Sequence, residues 1–231
     1  MSQTYYGDQT RPASAGVSTR AEFIARTYTH LLGAIALFLL IEVYFFQSGF
    51  AETIAQTMLS SNWLLVLGGF LVVSWLASSV AASSASLPMQ YLALAGFVAA
   101  EAVIFVPMLY IANAVAPGAI QSAGTMTVIG FAGLTAIAFT TRKDFSFLGA
   151  LLKWGGVVAL LAIVGAVLFG FQLGTWFSVA MVGFAGAAIL YDTSNVINNF
   201  PEDRYVAAAL QLFSSVALMF WYLLRLFSSR D

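Results

Sequence analysis

The chain has 231 residues, of which 61% are hydrophobic and 8% charged, against about 45–50% and about 25% in an average soluble protein. A soluble domain of that composition would precipitate, and a net charge of −1 with no basic patch beyond Arg142 and Lys143 makes nucleic acid a poor partner. The absence of cysteine excludes disulfides, thiolate metal sites and iron–sulfur clusters.

Residues 1–19 carry Ser, Thr, Gln, Gly and Pro12 with almost no aliphatic side chain. They have nothing to bury and read as a disordered tail. Arg20 and Arg26 then precede a first apolar run, Ile24 to Phe46. That run exceeds a signal-peptide h-region and no A-x-A site follows it, so it reads as an uncleaved first span.

Six further apolar blocks follow, at about Trp63 to Ala82, Met89 to Val115, Thr125 to Thr141, Phe147 to Phe169, Trp176 to Ile197 and Val206 to Phe227. Each has roughly the length a helix needs to cross a hydrocarbon core about 30 Å thick. Capping and stopping residues bound them: Ser60, Ser61 and Asn62, Pro88, Pro117 and Gly118, then Asn198, Asn199 and Pro201. Gly124, Gly130 and Gly133 make the fourth block the weakest helix former, although glycine is common in membrane helices. Between the first two spans, Phe50, Ile54 and Met58 fall at i, i+4 and i+8, the spacing of a short interfacial helix. The expected fold is all-α, a polytopic membrane protein with the lipid bilayer as its first partner.

With seven spans, Arg11, Arg20, Arg26, Arg142, Lys143 and Arg204 fall on one side, and the loops after spans one, three and five contain no Lys or Arg. The positive-inside rule then places the N-terminus in the cytoplasm. Arg225 and Arg230 are exceptions: either they snorkel outward or span seven does not cross fully.

A charge near the bilayer centre costs about 2.5–3.5 kcal/mol on insertion scales, so intramembrane carboxylates are the first functional candidates. Glu42 sits in the last third of span one, where a carboxylate is expected to reach headgroups or water. Glu101 lies near the middle of span three, less than two turns before Pro107, which removes a backbone hydrogen bond and can kink the helix around it. Asp192 lies toward the cytoplasmic end of span six, in Leu190-Tyr191-Asp192-Thr193-Ser194-Asn195. It has two readings: a structural carboxylate that caps the loop or pairs with Lys153 or Arg204, or a buried gate whose charge is switched by proton uptake.

The remaining chemistry is sparse. His30 is the sole histidine, so no site with several His ligands exists and interfacial hydrogen bonding is its expected role. No P-loop, G-x-G-x-x-G before a helix, H-E-x-x-H or G-x-S-x-G occurs, so neither catalysis nor a cofactor is expected. Gly155, Gly156, Gly183 and Gly186 are expected to permit close helix packing.

Two segments carry a family resemblance. Thr140-Thr141-Arg142-Lys143-Asp144-Phe145-Ser146-Phe147-Leu148-Gly149, and Leu190-Tyr191-Asp192-Thr193 with Ile197, resemble the signatures of the Bax inhibitor-1/YccA family, most closely its bacterial YccA-like branch. The likeness runs from about Arg20 to Asp231 and includes Pro107. It implies a seven-helix bundle with the last helix packed centrally, in a bacterial inner membrane. It also implies two activities. Some bacterial members are pH-sensitive calcium leak channels, gated by a pair of aspartates that share a proton. The first matches Asp192, but the second position is occupied by Ser215, and a carboxylate beside a hydroxyl cannot couple titrations as two carboxylates do. Ser215 lies about nine residues into span seven, roughly 13 Å at the helical rise, so a hydrogen bond to Asp192 is expected. YccA-like members are associated instead with a membrane-anchored ATP-dependent protease, as substrate and as modulator, and residues 1–19 are a segment such a protease can engage.

Overall fold

A computed structural model describes the backbone of residues 13–84 and 86–229 and side chains from Thr19 onward. Among these residues there are eight α-helices and no strand: α1 (Ala13–Ser48), α2 (Phe50–Ser60), α3 (Trp63–Ser83), α4 (Leu87–Val115), α5 (Ala119–Thr141), α6 (Leu148–Phe169), α7 (Thr175–Asn198) and α8 (Tyr205–Ser228). All but α2 are long and apolar enough to cross a membrane, and the chain is a multi-pass membrane protein. Residues 1–12 of the expected tail lie outside the described residues. Residues 13–19, also expected in that tail, instead extend α1 by almost two turns. Their alanines favour helix, and the stretch holds no proline, so α1 continues through Gly16.

α5 begins at Ala119, six residues before the expected start at Thr125. Gly118 adopts a left-handed conformation with φ of 83°, which a residue with a Cβ rarely takes. The chain therefore reverses within Pro117-Gly118 and the helix restarts at once.

The short helix between spans one and two forms as expected, and Ile54 and Met58 are partly buried against the core. Ala51 and Ala55 are buried against Val106 of α4, while Phe50 is half exposed. Two alanines one turn apart let the helix backbones approach more closely than Phe50, Ile54 and Met58 could.

α8 lies at the centre of the bundle, touching α1, α3, α4, α5 and α7. Its first turns are nearly all small or aliphatic, with Val206, Ala208 and Ala209 fully buried. Inside a bilayer, helix association depends on packing rather than on escape from water, so small side chains allow many neighbours to approach one helix. α6 is the opposite case. It buries only Gly149 and Ala159 and turns Leu151, Trp154, Val157 and Leu161 outward.

Cross-links gather four chain segments at one end. The Arg20 guanidinium donates to the carbonyls of Asn195, Val196, Ile197 and Phe200, at 3.4, 2.7, 2.9 and 2.5 Å. The last carbonyls of α7 have no intrahelical partner, and this one side chain satisfies several of them. Phe23 stacks on Phe200 beneath it. Arg204 donates to the Ser84 carbonyl between α3 and α4, and Ser194 of α7 donates to the Lys143 carbonyl between α5 and α6. Arg20, Lys143 and Arg204 thus share one end of the molecule. α8 runs unbroken to the other end, where Arg225 donates to the carbonyl of Leu173 in the α6–α7 loop. This resolves the uncertainty over span seven in favour of a full-length helix.

Candidate functional site

Asp192 is buried, at 4% exposure, on the face of α7 that packs against α8. Each carboxylate oxygen has its own donor. Ser215 Oγ donates to Oδ2 at 2.5 Å, the hydrogen bond expected from depth, and Gln211 Nε2 donates to Oδ1 at 2.6 Å. Gln211 and Ser215 are one turn apart on α8 and so present their side chains on the same face. Gln211 was missed by sequence reasoning, although its i−4 spacing from Ser215 was the available signal.

Both donors are neutral and belong to one helix, so the carboxylate joins α7 to α8 without an ion pair. The expected pairing with Lys153 or Arg204 does not form. Arg204 pairs with Asp203, and Lys153 lines the cavity beside Asp192 without an ion pair among the described residues. That cavity has a volume of about 480 Å³ and is also walled by Ser78 of α3, Gly149 of α6 and Ser214 of α8.

The two signature segments meet here. Ser194 Oγ accepts from the Phe145 amide at 3.1 Å while donating to the Lys143 carbonyl, which fastens the α5–α6 loop to α7. Asp144 accepts from the Ser146 amide at 2.9 Å and shapes the turn into α6. Arg142 ends α5 in a left-handed conformation, with φ of 49°. Gly149 allows a close contact: a Cβ there would lie 2.9 Å from Cε2 of Tyr191, so any other residue makes the ring shift. Thr193 is fully buried. The signature residues Arg142, Lys143, Asp144, Tyr191 and Thr193 therefore shape the wall and loop around Asp192. Pro107, by contrast, is buried within α4, which continues helical through it.

Glu101 does not join this site. It is buried in a second cavity of about 310 Å³, lined by Trp63, Phe105, Trp221 and Arg225, and the two cavities have only Ser214 in common. Glu42 departs from expectation as well. It is 7% exposed, and neither carboxylate oxygen has a hydrogen-bond partner among the described residues. It follows Phe38 by one turn, on the face where Phe38 packs edge-on to Phe105 and Phe213, so it points into the bundle and not toward headgroups. His30 has the expected interfacial role, donating Nδ1–H to the Arg26 carbonyl at 2.6 Å with Nε2 3.2 Å from the Tyr91 hydroxyl. Among the described residues no group of three or more His, Asp or Glu is placed to hold a metal ion.

Comparison with known proteins agrees with the likeness read from the two signatures. The chain is 38% identical over 122 residues to the Escherichia coli protein named Modulator of FtsH protease YccA, covering 48% of this chain and 55% of that protein. It is 40% identical over 111 residues to an uncharacterised protein of Pseudomonas aeruginosa, covering 47% and 49%. It is 32% identical over 114 residues to the BI1-like protein of Arabidopsis thaliana, covering 46% and 43%. The matched segments thus span about half the length of these relatives. The family model described as Inhibitor of apoptosis-promoting Bax1 covers much more of the chain, residues 20–231. With that coverage and seven membrane-length helices, of which α8 is central, the chain belongs to the Inhibitor of apoptosis-promoting Bax1 family.

Proposed function

We propose that this protein is a non-enzymatic inner-membrane protein that modulates membrane-protein quality control through a membrane-anchored ATP-dependent protease. The observation that carries the reading is the closure of Asp192 by two neutral donors. A carboxylate held in this way braces α7 against α8 and lacks the second carboxylate of a proton-sharing gate. The similarity to a relative named as a protease modulator supports the choice of partner. The end that carries Arg20, Lys143 and Arg204 faces the cytoplasm in this reading, by the positive-inside rule, and residues 1–19 are the segment the protease engages. Crosslinking in membranes followed by affinity purification tests it. The tagged protein recovers the protease, and deletion of residues 2–19 slows its turnover. Absence of the protease together with unchanged turnover refutes the reading.

A second reading, a pH-sensitive calcium or other cation leak gated by Asp192, draws on one observation. The cavity beside Asp192 and the cavity holding Glu101 both have Ser214 in their walls, which puts both carboxylates on cavities that border one residue. Purified protein in liposomes loaded with a calcium dye would then pass calcium in a pH-dependent way that Asp192→Asn abolishes. Flux equal to that of empty liposomes between about pH 6 and 8, where a desolvated carboxyl can titrate, excludes it.

A further inference from the structure

At the end of the bundle opposite the Arg20 clamp, a cavity of about 530 Å³ opens between α3, α6, the α6–α7 loop, the start of α7 and the end of α8. We propose that it is a binding site for a phosphate-bearing anion, with Arg225 and Ser178 as its principal contacts. Such a volume is typical of small-ligand sites.

The cavity has four features that suit this ligand. The Arg225 guanidinium is partly buried and makes a single hydrogen bond, to the Leu173 carbonyl. It forms no ion pair among the described residues, so most of its planar array of donors is open to a bidentate oxyanion. Ser178 also lines the cavity, at 1% exposure, and its hydroxyl has no hydrogen-bond partner among the described residues. That hydroxyl can donate to a ligand oxygen within the cavity. The helix that carries Ser178 begins at the cavity wall, with Gly174 as a cap that lacks a side chain. The first-turn amides and the positive end of the helix dipole therefore add to the attraction for an anion. Finally, among the described residues no carboxylate lines this cavity. Glu101 lines the neighbouring cavity, which shares Arg225, but it does not come within ion-pair distance of that guanidinium.

The position suggests where the phosphate comes from. Trp176 is 85% exposed and Phe169 81% exposed at this level of the bundle, and exposed aromatic rings on membrane helices mark the headgroup layer. The ligand chemistry is therefore that of a phospholipid headgroup or of a free phosphate in the adjoining aqueous phase.

The experiment separates these sources. Delipidated protein in a phosphate-free maltoside detergent is titrated with inorganic phosphate at constant ionic strength and binding is followed by isothermal titration calorimetry. In parallel, phosphatidylglycerol is added back and bound lipid is counted by native mass spectrometry. The expected result is saturable phosphate binding, or retention of one phosphatidylglycerol per chain. Either is weakened at least tenfold by Arg225→Gln and several-fold by Ser178→Ala, while Arg225→Lys lies between wild type and Arg225→Gln. A phosphate response identifies a free anion, whereas lipid retention without it identifies a headgroup. Should Arg225→Gln fail to fold, Ser178→Ala and Thr175→Val leave the arginine in place and decide the question. No binding of either probe by the wild type, or equal binding by folded variants, overturns the proposal.

Discussion

Replacing Ser215 with alanine removes one donor from a carboxylate that has one donor per oxygen. Asp192 Oδ2 is then left in the α7–α8 interface with no partner, and Gln211 is already committed to Oδ1. A buried acceptor left unsatisfied costs about 1–3 kcal/mol, and losing a hydroxyl oxygen adds little cavity volume. Asp192→Asn is expected to be much milder. The amide oxygen still accepts from Gln211, and the amide nitrogen donates to Ser215, whose hydroxyl serves equally as acceptor. For a chain of this length, 1 kcal/mol corresponds to roughly 2–4 °C in Tm, so Ser215→Ala lowers Tm by about 2–12 °C and Asp192→Asn by less. The assay is thermal unfolding in detergent, followed by far-UV circular dichroism and repeated on the double variant. Once position 192 is Asn, the loss from Ser215→Ala shrinks toward that of a neutral hydrogen bond, about 0.5–1.5 kcal/mol. If Ser215→Ala melts with the wild type while Asp192→Asn falls far below it, the pairing does not brace the helices and the reasoning is wrong.

Three further outcomes are expected. Gly149→Ala places a Cβ 2.9 Å from the Tyr191 ring and destabilises by about 1–3 kcal/mol; with Tyr191→Leu the two losses combine to less than their sum, as a double-mutant cycle in thermal unfolding will measure. Arg20→Ala exposes the last carbonyls of α7, so hydrogen exchange between Asn195 and Phe200 rises by tenfold or more, while Arg20→Lys, lacking the planar fork, recovers only part of the protection. Ser215→Asp sets two carboxylates face to face, which cannot both ionise cheaply; calcium flux in dye-loaded liposomes then becomes more pH-dependent than in the wild type, and an unchanged profile rules out a proton-sharing pair at this position.

The number of spans was legible because twenty-residue apolar blocks and their capping residues are local signals, and so was the central last helix, through a resemblance carried by two short segments. What escaped were features that depend on which face of a helix meets which neighbour. Glu42 was expected at headgroups from its depth alone, but its azimuth is set by Phe38 one turn earlier, which packs between Phe105 and Phe213. In α2 the large residues Ile54 and Met58 marked the inward side, but the closest contacts are made by Ala51 and Ala55, whose small side chains give no amphipathic signal. Around Asp192, Ser215 was found through the resemblance, whereas Gln211 required only the helical repeat. The four-carbonyl clamp of Arg20 joins residues about 177 positions apart, and nothing local announces it.

The position of α8 has a consequence for how the chain is made. Both partners of Asp192, and much of the packing surface of α1, α4, α5 and α7, arrive only with α8, after all of those helices have been made. At about 5–20 residues per second, its 24 residues emerge over roughly 1–5 s, during which the five helices that pack on it surround an empty slot. A nascent chain stalled or truncated before Tyr205 holds a carboxylate in the membrane with neither donor in place. Completion of α8 is thus the step that turns a loose set of helices into a bundle, and chains interrupted before it carry their own mark of incompleteness.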